Sequence, residues 1–360
     1  MTTKASTLTH RERVRLALNH QATDRIPLAL VCSGINSPAR EEFAALLARE
    51  RGVTLEAFLD PLLDIRGIEP PFKGPALRPW FDLWGVHRRM VNHGSGEYCE
   101  IDVAPLADAA TPADLDRHAW PSPDWFDYAA LPGLVRRQRA AGDPCLMAAN
   151  GNIFETSWYM RGFEQMFMDF LLNPELAHAL LNRVCDFYVE YFTRILAAVP
   201  GEIDLVFTAD DIGGQEGLLM SLEMWETFIK PCHMRLNRRL HELGARVIYH
   251  SDGAVMEAVP GLIDMGIDVL QALQFDARGM DPIRLKHEFG DQLGFEGGVS
   301  VQRTLPFGKP ADVRAEVERL IHVLGRHGGY ILGPSHVIQA GTPPENILAL
   351  FDAALAGRAS

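Results

Sequence analysis

Beyond residue 140 the chain repeats one pattern. Short apolar runs that end in polar residues or glycine alternate with longer amphipathic stretches. The runs at 144–150, 204–208, 246–249, 268–273, 293–295 and 330–332 predict strands, each too short for a helix and closed by acids, His or Gly. The stretches at 155–172, 174–198, 221–243, 255–265, 310–324 and 344–355 predict helices. Ser221 is placed to cap its helix, with Glu223 in the first turn. Earlier, Thr9 and Glu12 form a capping box ahead of an apolar stripe of Val14, Leu16, Ala17 and Leu18. Pro27 interrupts, and the apolar run 26–31 predicts a buried strand turning at Cys32-Ser33-Gly34. From 60 to 132 the pattern is irregular, and 82–101 predicts a small hairpin around His93-Gly94-Ser95-Gly96.

Strand, polar loop and helix in succession mean parallel βα units. No GxGxxG follows the first strand, which removes the dinucleotide-binding start of an open doubly wound sheet. Polar and acidic residues gather at the strand C-termini, as in a barrel whose chemistry sits on that face. The expectation is an α/β fold: a (β/α)8 TIM barrel, one domain over 1–360, with 40–140 as irregular N-terminal decoration.

Composition narrows the partners. Lys+Arg 34 against Asp+Glu 47 gives a net charge of −13, unsuited to nucleic acid or an anionic membrane surface. No apolar run of membrane-spanning length exists, and the polar start, 1–15, lacks the apolar stretch of a signal peptide, so a cytoplasmic protein is expected. The five cysteines stand singly, with no CxxC spacing, and read as buried apolar thiols.

His250 and Asp252 alternate around Ser251 just after a strand, so both side chains point the same way and could share a metal ion. His336 holds the same place after the last strand; in a closed barrel the three would converge as a two-His, one-carboxylate set. The plain alternative is a helix cap at His250 with Asp252 as first-turn acid. Asp210 and Asp211 follow another strand, and only one of the two should face the barrel axis. Glu296 after Phe295 presents the same choice between base, ligand and cap. Trp158 and Tyr159 lie at a helix start, where aromatics more often pack than contact a ligand. Gln274, Gln302 and Gln339 suit a polar pocket.

Several blocks together are similar to a known group. Arg11-Glu12-Arg13-Val14 with Asp24-Arg25-Ile26-Pro27, then Asp210-Asp211-Ile212-Gly213, Gly217 to Ser221, Phe228 to Pro231, His250-Ser251-Asp252-Gly253 and Gly333-Pro334-Ser335-His336 with Thr342 to Asn346 resemble the uroporphyrinogen decarboxylase superfamily, in its corrinoid-linked methyltransferase branch. The resemblance implies the barrel fold. By motif position Tyr159 and His336 look like the tetrapyrrole decarboxylases' cleft Tyr and His, while Asp211 stands where they have Ser. No counterpart of their Arg-rich loop occurs near 27–37. An octacarboxylate substrate needs such guanidinium groups. The methyltransferase branch holds zinc with one His and two Cys. His250 matches the His, but Asp252 and His336 replace the cysteines, which leaves a harder nitrogen and oxygen site.

The resemblance therefore implies a metal-dependent methyltransferase or demethylase. It would move a methyl group from a small methylated, in first place methoxylated, substrate to a corrinoid on a separate protein. His250, Asp252 and His336 would hold a divalent metal, zinc in first place. Asp211 or Glu296 would protonate the leaving group, and Tyr159 and Gln302 would orient the substrate. A homodimer is expected, with the apolar 163–172 segment contributing to its interface. Two alternatives stay open: a decarboxylase or lyase on a small carboxylate with Asp211 and His336 as acid and base, and a non-catalytic barrel binding a tetrapyrrole or corrinoid.

Overall fold

The computed structural model describes residues 8–32, 34–92 and 97–357. Among the described residues nine strands occur in chain order: β1 (Ile65–Gly67), β2 (His87–Asn92), β3 (Glu97–Val103), β4 (Cys145–Asn152), β5 (Leu205–Ala209), β6 (Arg246–His250), β7 (Val269–Ala272), β8 (Gly294–Val299) and β9 (Tyr330–Pro334). Seven form a curled sheet in the order β1-β4-β5-β6-β7-β8-β9, every pair parallel. The 26–31 segment bonds both edges of that sheet: Asp64 N–H donates to the Leu28 carbonyl on one side, and Ala29 N–H to the Leu332 carbonyl on the other. Helices pack outside, giving a TIM-barrel-like α/β fold. The expected strand at 26–31 is reduced to a single bridge pair, Leu28 with Leu332.

Alternation along each strand separates two cores. Ala29, Val31, Ile65, Met147, Leu205, Phe207, Ile248, Val269 and Ile331 fill the interior. Residues facing the other way join a larger cluster with the helices, including Leu146, Val206, Val247, Leu270 and Phe295. The helix His10–Leu18 plugs the interior from below with Val14 and Leu18, and Thr9 and Glu12 complete its capping box.

The opening motif is a clamp on this floor. Arg13 bridges Asp24 (2.7 Å) and the fully buried Asp64 (2.6 Å), while Arg25 also reaches Asp64 (2.6 Å). His10 Nδ1 lies 2.7 Å from the same carboxylate, which accepts the Leu28 N–H as well. Burial opposes ionisation of Asp64, but His10, Arg25 and Arg13 outweigh it and hold the carboxyl below its ordinary value.

Several boundaries differ from the sequence expectation. The 155–172 stretch is two helices, Ile153–Arg161 and Phe163–Leu172, parted at Gly162. The 221–243 stretch divides into Leu222–Phe228 and Lys230–Glu242, where Pro231 removes a helical donor. The 255–265 stretch is a 3-10 turn followed by Val259–Asp264. β8 runs on through Glu296-Gly297-Gly298, which were expected to follow it. Within 40–140, β2 and β3 pair antiparallel, as the hairpin reading required; the hairpin's turn, 93–96, lies outside the described residues, as does Ser33 of the 32–34 turn.

Candidate metal and proton-transfer site

The register sets out the site. Ala209, His250, Gln271, Glu296 and Ile331 lie side by side across β5 to β9. Laterally paired residues share a face, so His250, Gln271 and Glu296 form a polar layer above the apolar interior. His250 Nδ1 is hydrogen-bonded to Gln271 Oε1. An amide oxygen only accepts, so Nδ1 carries the proton and Nε2 presents a free lone pair to the mouth.

Around that Nε2 stand Asp211 Oδ1 at 3.5 Å and Asp252 Oδ1 at 4.0 Å, and His336 Nε2 lies 3.7 Å from Asp252 Oδ2. The two imidazole centroids are 5.9 Å apart. The structure thus brings together all three residues expected to bind metal, with Asp211 beside them. The His250 side chain is 8% exposed, whereas Asp211 at 36% and His336 at 32% open to the solvent side, so a small molecule can reach them. Asp252 Oδ1 is buried with no hydrogen-bond partner among the described residues, an orphaned acceptor suited to a cation. Burial raises the Asp252 carboxyl above its ordinary value, and nearby Asp211 adds to this.

Asp210 and Asp211 part as the alternation argument required. Asp210 is sealed behind the strand, accepting the Phe154 and Glu155 N–H groups (both 2.8 Å) and pairing with His233 Nε2 (2.6 Å). It caps a helix. Asp211 turns to the mouth and accepts the Asp252 N–H at 2.8 Å, tying two loops together. Those loops touch backbone to backbone: Gly253 has φ +83°, and a Cβ there would lie 2.5 Å from the Gly214 oxygen.

Glu296 needs correction. It does not stand at a strand end in the mouth but inside β8, fully buried. Burial drives its carboxyl well above the ordinary value; the Gln271 amide offsets this in part without reaching normal hydrogen-bond geometry. A Cβ on Gly333 would fall 2.6 Å from Glu296 Oε1, so the glycine of the 333–336 motif makes room for this carboxyl. Gln302 lies exposed on the turn after β8. Gln274 binds near the mouth, where its Oε1 accepts the Gly253 N–H at 2.9 Å.

Two residues at the mouth went unread in the sequence. Glu155, at the start of the helix after β4, accepts from Asn152 Nδ2 (2.5 Å) and from the Tyr159 hydroxyl (3.2 Å). Burial, then Asp211 and Asp210, push it up to about 7. The Arg88 guanidinium of the hairpin covers the Tyr159 ring at 4.7 Å, so the hairpin reaches the rim. The second is Cys32, whose ligand atom groups with those of His250 and His336 within 4.8 Å; Asp211, His250 and Asp252 form the other such group. Cys32 is therefore not one of the sealed apolar thiols. Burial, then Asp252, Glu296 and Asp211, push it up to about 12. Neither residue carries a local sequence signal, because only the closed fold brings each to the mouth.

Residues 112–356 match the family model of uroporphyrinogen decarboxylase (URO-D). The chain belongs to the uroporphyrinogen decarboxylase family. It is 28% identical over 196 residues to a methylated-thiol–coenzyme M methyltransferase of Methanosarcina mazei, covering 54% of this chain and 49% of that protein. A uroporphyrinogen decarboxylase of Alcanivorax borkumensis is 23% identical, with 95% of this chain and 96% of that one covered. The alignments to the Methanosarcina protein and to a second uroporphyrinogen decarboxylase, from Aromatoleum aromaticum, span about half of each relative's length. Among solved structures, a methyltransferase from Methanosarcina mazei superposes with TM-score 0.67 at 18% identity, covering 97% of this chain and 99% of that one. That likeness supports the fold.

Proposed function

We propose that this protein is a metal-dependent methyltransferase that removes a methyl group from a small methylated, in first place methoxylated, substrate and passes it to a corrinoid on a separate protein. The observation that carries this reading is the convergence of His250, Asp252 and His336, with an orphaned buried carboxylate oxygen, at the open end of the barrel. Its relatives are enzymes, a methyltransferase among them.

The donor set fits a divalent ion: two imidazoles and a carboxylate suit zinc or a similar metal. When bound, such an ion supplies Lewis acidity that makes the heteroatom losing its methyl group a better leaving group. The protein's own groups do the rest. Gln271 fixes the His250 ring and tautomer from behind. Asp211, at the solvent side, turns its carboxyl toward the departing oxygen or nitrogen, and its bond to the Asp252 N–H keeps both loops in register. Glu155, titrating near neutrality, exchanges protons beside it, and Tyr159 presents its ring edge and hydroxyl to the substrate. Gln302 would reach a substrate only from the exposed rim, and Glu296, sealed inside β8, is out of reach of a substrate as a proton donor.

Tetrapyrrole decarboxylation fits less well. Asp211, Asp252 and Glu155 line the mouth with carboxyls, where a polycarboxylate would need guanidinium partners. Among the described residues no helix is long and apolar enough to cross a membrane. The reading places the protein in the cytoplasm as a homodimer, supported by the exposed Phe163, Met168, Leu171 and Leu172 on one helix. The test is incubation of candidate methoxylated and methylated amines or thiols with the zinc-loaded protein and a reduced cob(I)alamin, reading the methyl–cobalt absorption. Formation of methylcobalamin with at least one candidate supports the reading. Release of carbon dioxide from a carboxylate substrate, with no methyl transfer, overturns it.

A further inference from the structure

We propose that Cys32 is an inner ligand of the ion at this site, joining His250 and His336, so that the centre is a mixed thiolate–imidazole site and not a purely nitrogen and oxygen one. The inference rests on the metal-dependent reading above, but its readout does not require turnover.

The pairing of the chain places the thiol there. Leu28 bridges Leu332, and four residues further along each segment stand Cys32 and His336. The bond from the Ala29 N–H to the Leu332 carbonyl fixes this register at its start, and the two segments stay side by side as far as Ile35 and Ile338, one residue out of step. His250 comes across from β6, and its ring lies 5.9 Å from that of His336. The Cys32, His250 and His336 ligand atoms all lie within 4.8 Å of one another. Zinc–nitrogen bonds of about 2.0 Å and zinc–sulfur bonds of about 2.3 Å at tetrahedral angles put ligand atoms about 3.3–3.6 Å apart. Small side-chain torsions close that difference. Asp252 Oδ2, 3.7 Å from His336 Nε2, is already near that spacing as a further ligand.

The assignment changes the chemistry. The positions of the resemblance that would bear thiols, 252 and 336, carry Asp and His, yet a thiol returns from the opposite end of the chain. On binding, the Cys32 sulfur gives its proton to solvent and its lone pair to the ion. One thiolate and the Asp252 carboxylate then balance a 2+ charge. A thiolate with two imidazoles favours zinc and cobalt(II) over magnesium, calcium or manganese. The other cysteines cannot supply this ligand: Cys145 is sealed in the barrel interior, Cys185 and Cys232 are buried among helices, and Cys99 sits exposed on the hairpin.

The full-length protein is stripped with a chelator, loaded with cobalt(II) and scanned in the near ultraviolet, where thiolate-to-cobalt charge transfer absorbs strongly. The expected result is one such band, saturating at one cobalt per chain. Cys32→Ser loses the band and binds cobalt about 10- to 100-fold more weakly, while Cys99→Ser keeps both. Wild-type protein that binds one cobalt without the band overturns the assignment, as does failure to bind cobalt at all. Because the wild-type spectrum stands by itself, misfolding of Cys32→Ser would leave the test intact. A band in a protein that methylates no corrinoid keeps Cys32 as a ligand and defeats the functional reading instead.

Discussion

Asp64→Ala removes the centre of the clamp beneath the barrel. Its carboxylate is fully buried and serves Arg13, Arg25, His10 and the Leu28 N–H together. Breaking a buried ion pair from one side costs about 3–5 kcal/mol, and a stranded backbone donor about 1–3 kcal/mol. Arg13 keeps Asp24 as a partner (2.7 and 2.9 Å), and Arg25, 16% exposed, recovers some hydration, so a loss of about 4 kcal/mol is expected. At about 2.1 cal/mol/K per residue, the 360-residue chain has an unfolding entropy near 0.8 kcal/mol/K, so the melting temperature falls by about 5 °C. Urea unfolding should show the same loss as a shifted midpoint at unchanged slope. Asp60→Ala, which breaks the exposed pair with Arg66, should cost under about 1 kcal/mol. The clamp also has a pH signature. The folded carboxyl titrates below its unfolded value, so its contribution is present above the unfolded value and fades as pH falls through the folded one. Wild type and Asp64→Ala should therefore converge in stability toward strongly acidic pH. A loss below about 1 kcal/mol at neutral pH would refute the reasoning.

Other outcomes follow from the site and surface. Gln271→Leu leaves the His250 Nδ1–H without an acceptor and frees the ring, so zinc affinity measured by chelator competition should drop about 10- to 100-fold with the fold retained; unchanged affinity would remove Gln271 from the site. Glu155→Gln in metal-free protein should raise the melting temperature at pH 8 and leave it nearly unchanged at pH 4. The folded group is raised to about 7, so stability is lost as pH climbs from the unfolded value toward 7, by about 3 kcal/mol at most; equal effects at both pH values would contradict this. Light scattering at micromolar concentration should return twice the 40.0 kDa chain mass, and a particle of the single-chain mass would refute the dimer.

The sequence pattern carried most of the barrel because buried parallel strands and their helices differ in length and periodicity. It misplaced breaks where one residue acts locally: Gly162, at φ +96°, and Pro231 divide stretches whose apolar periodicity runs straight through them. It ended β8 at Phe295, ahead of Glu296, because a carboxyl reads as the residue after a strand, whereas here Gly333 opens room for it inside the sheet. The i, i+2 alternation placed His250 with Asp252 and separated Asp211 from Asp210, both local facts of extended chain. Cys32 and Glu155 reach the mouth through the bridge at Leu28 and the cap at Asp210, contacts between segments 304 and 55 to 56 residues apart that no local window contains.

His250 belongs to both candidate ligand groups, so its removal tests the metal centre whichever groups complete it. Elemental analysis of gently purified protein should find about one divalent ion per chain in wild type. In His250→Ala the ion and methyl transfer should disappear together, with the melting temperature showing the barrel still folded. Wild-type protein that is free of metal and still transfers methyl groups would contradict the account.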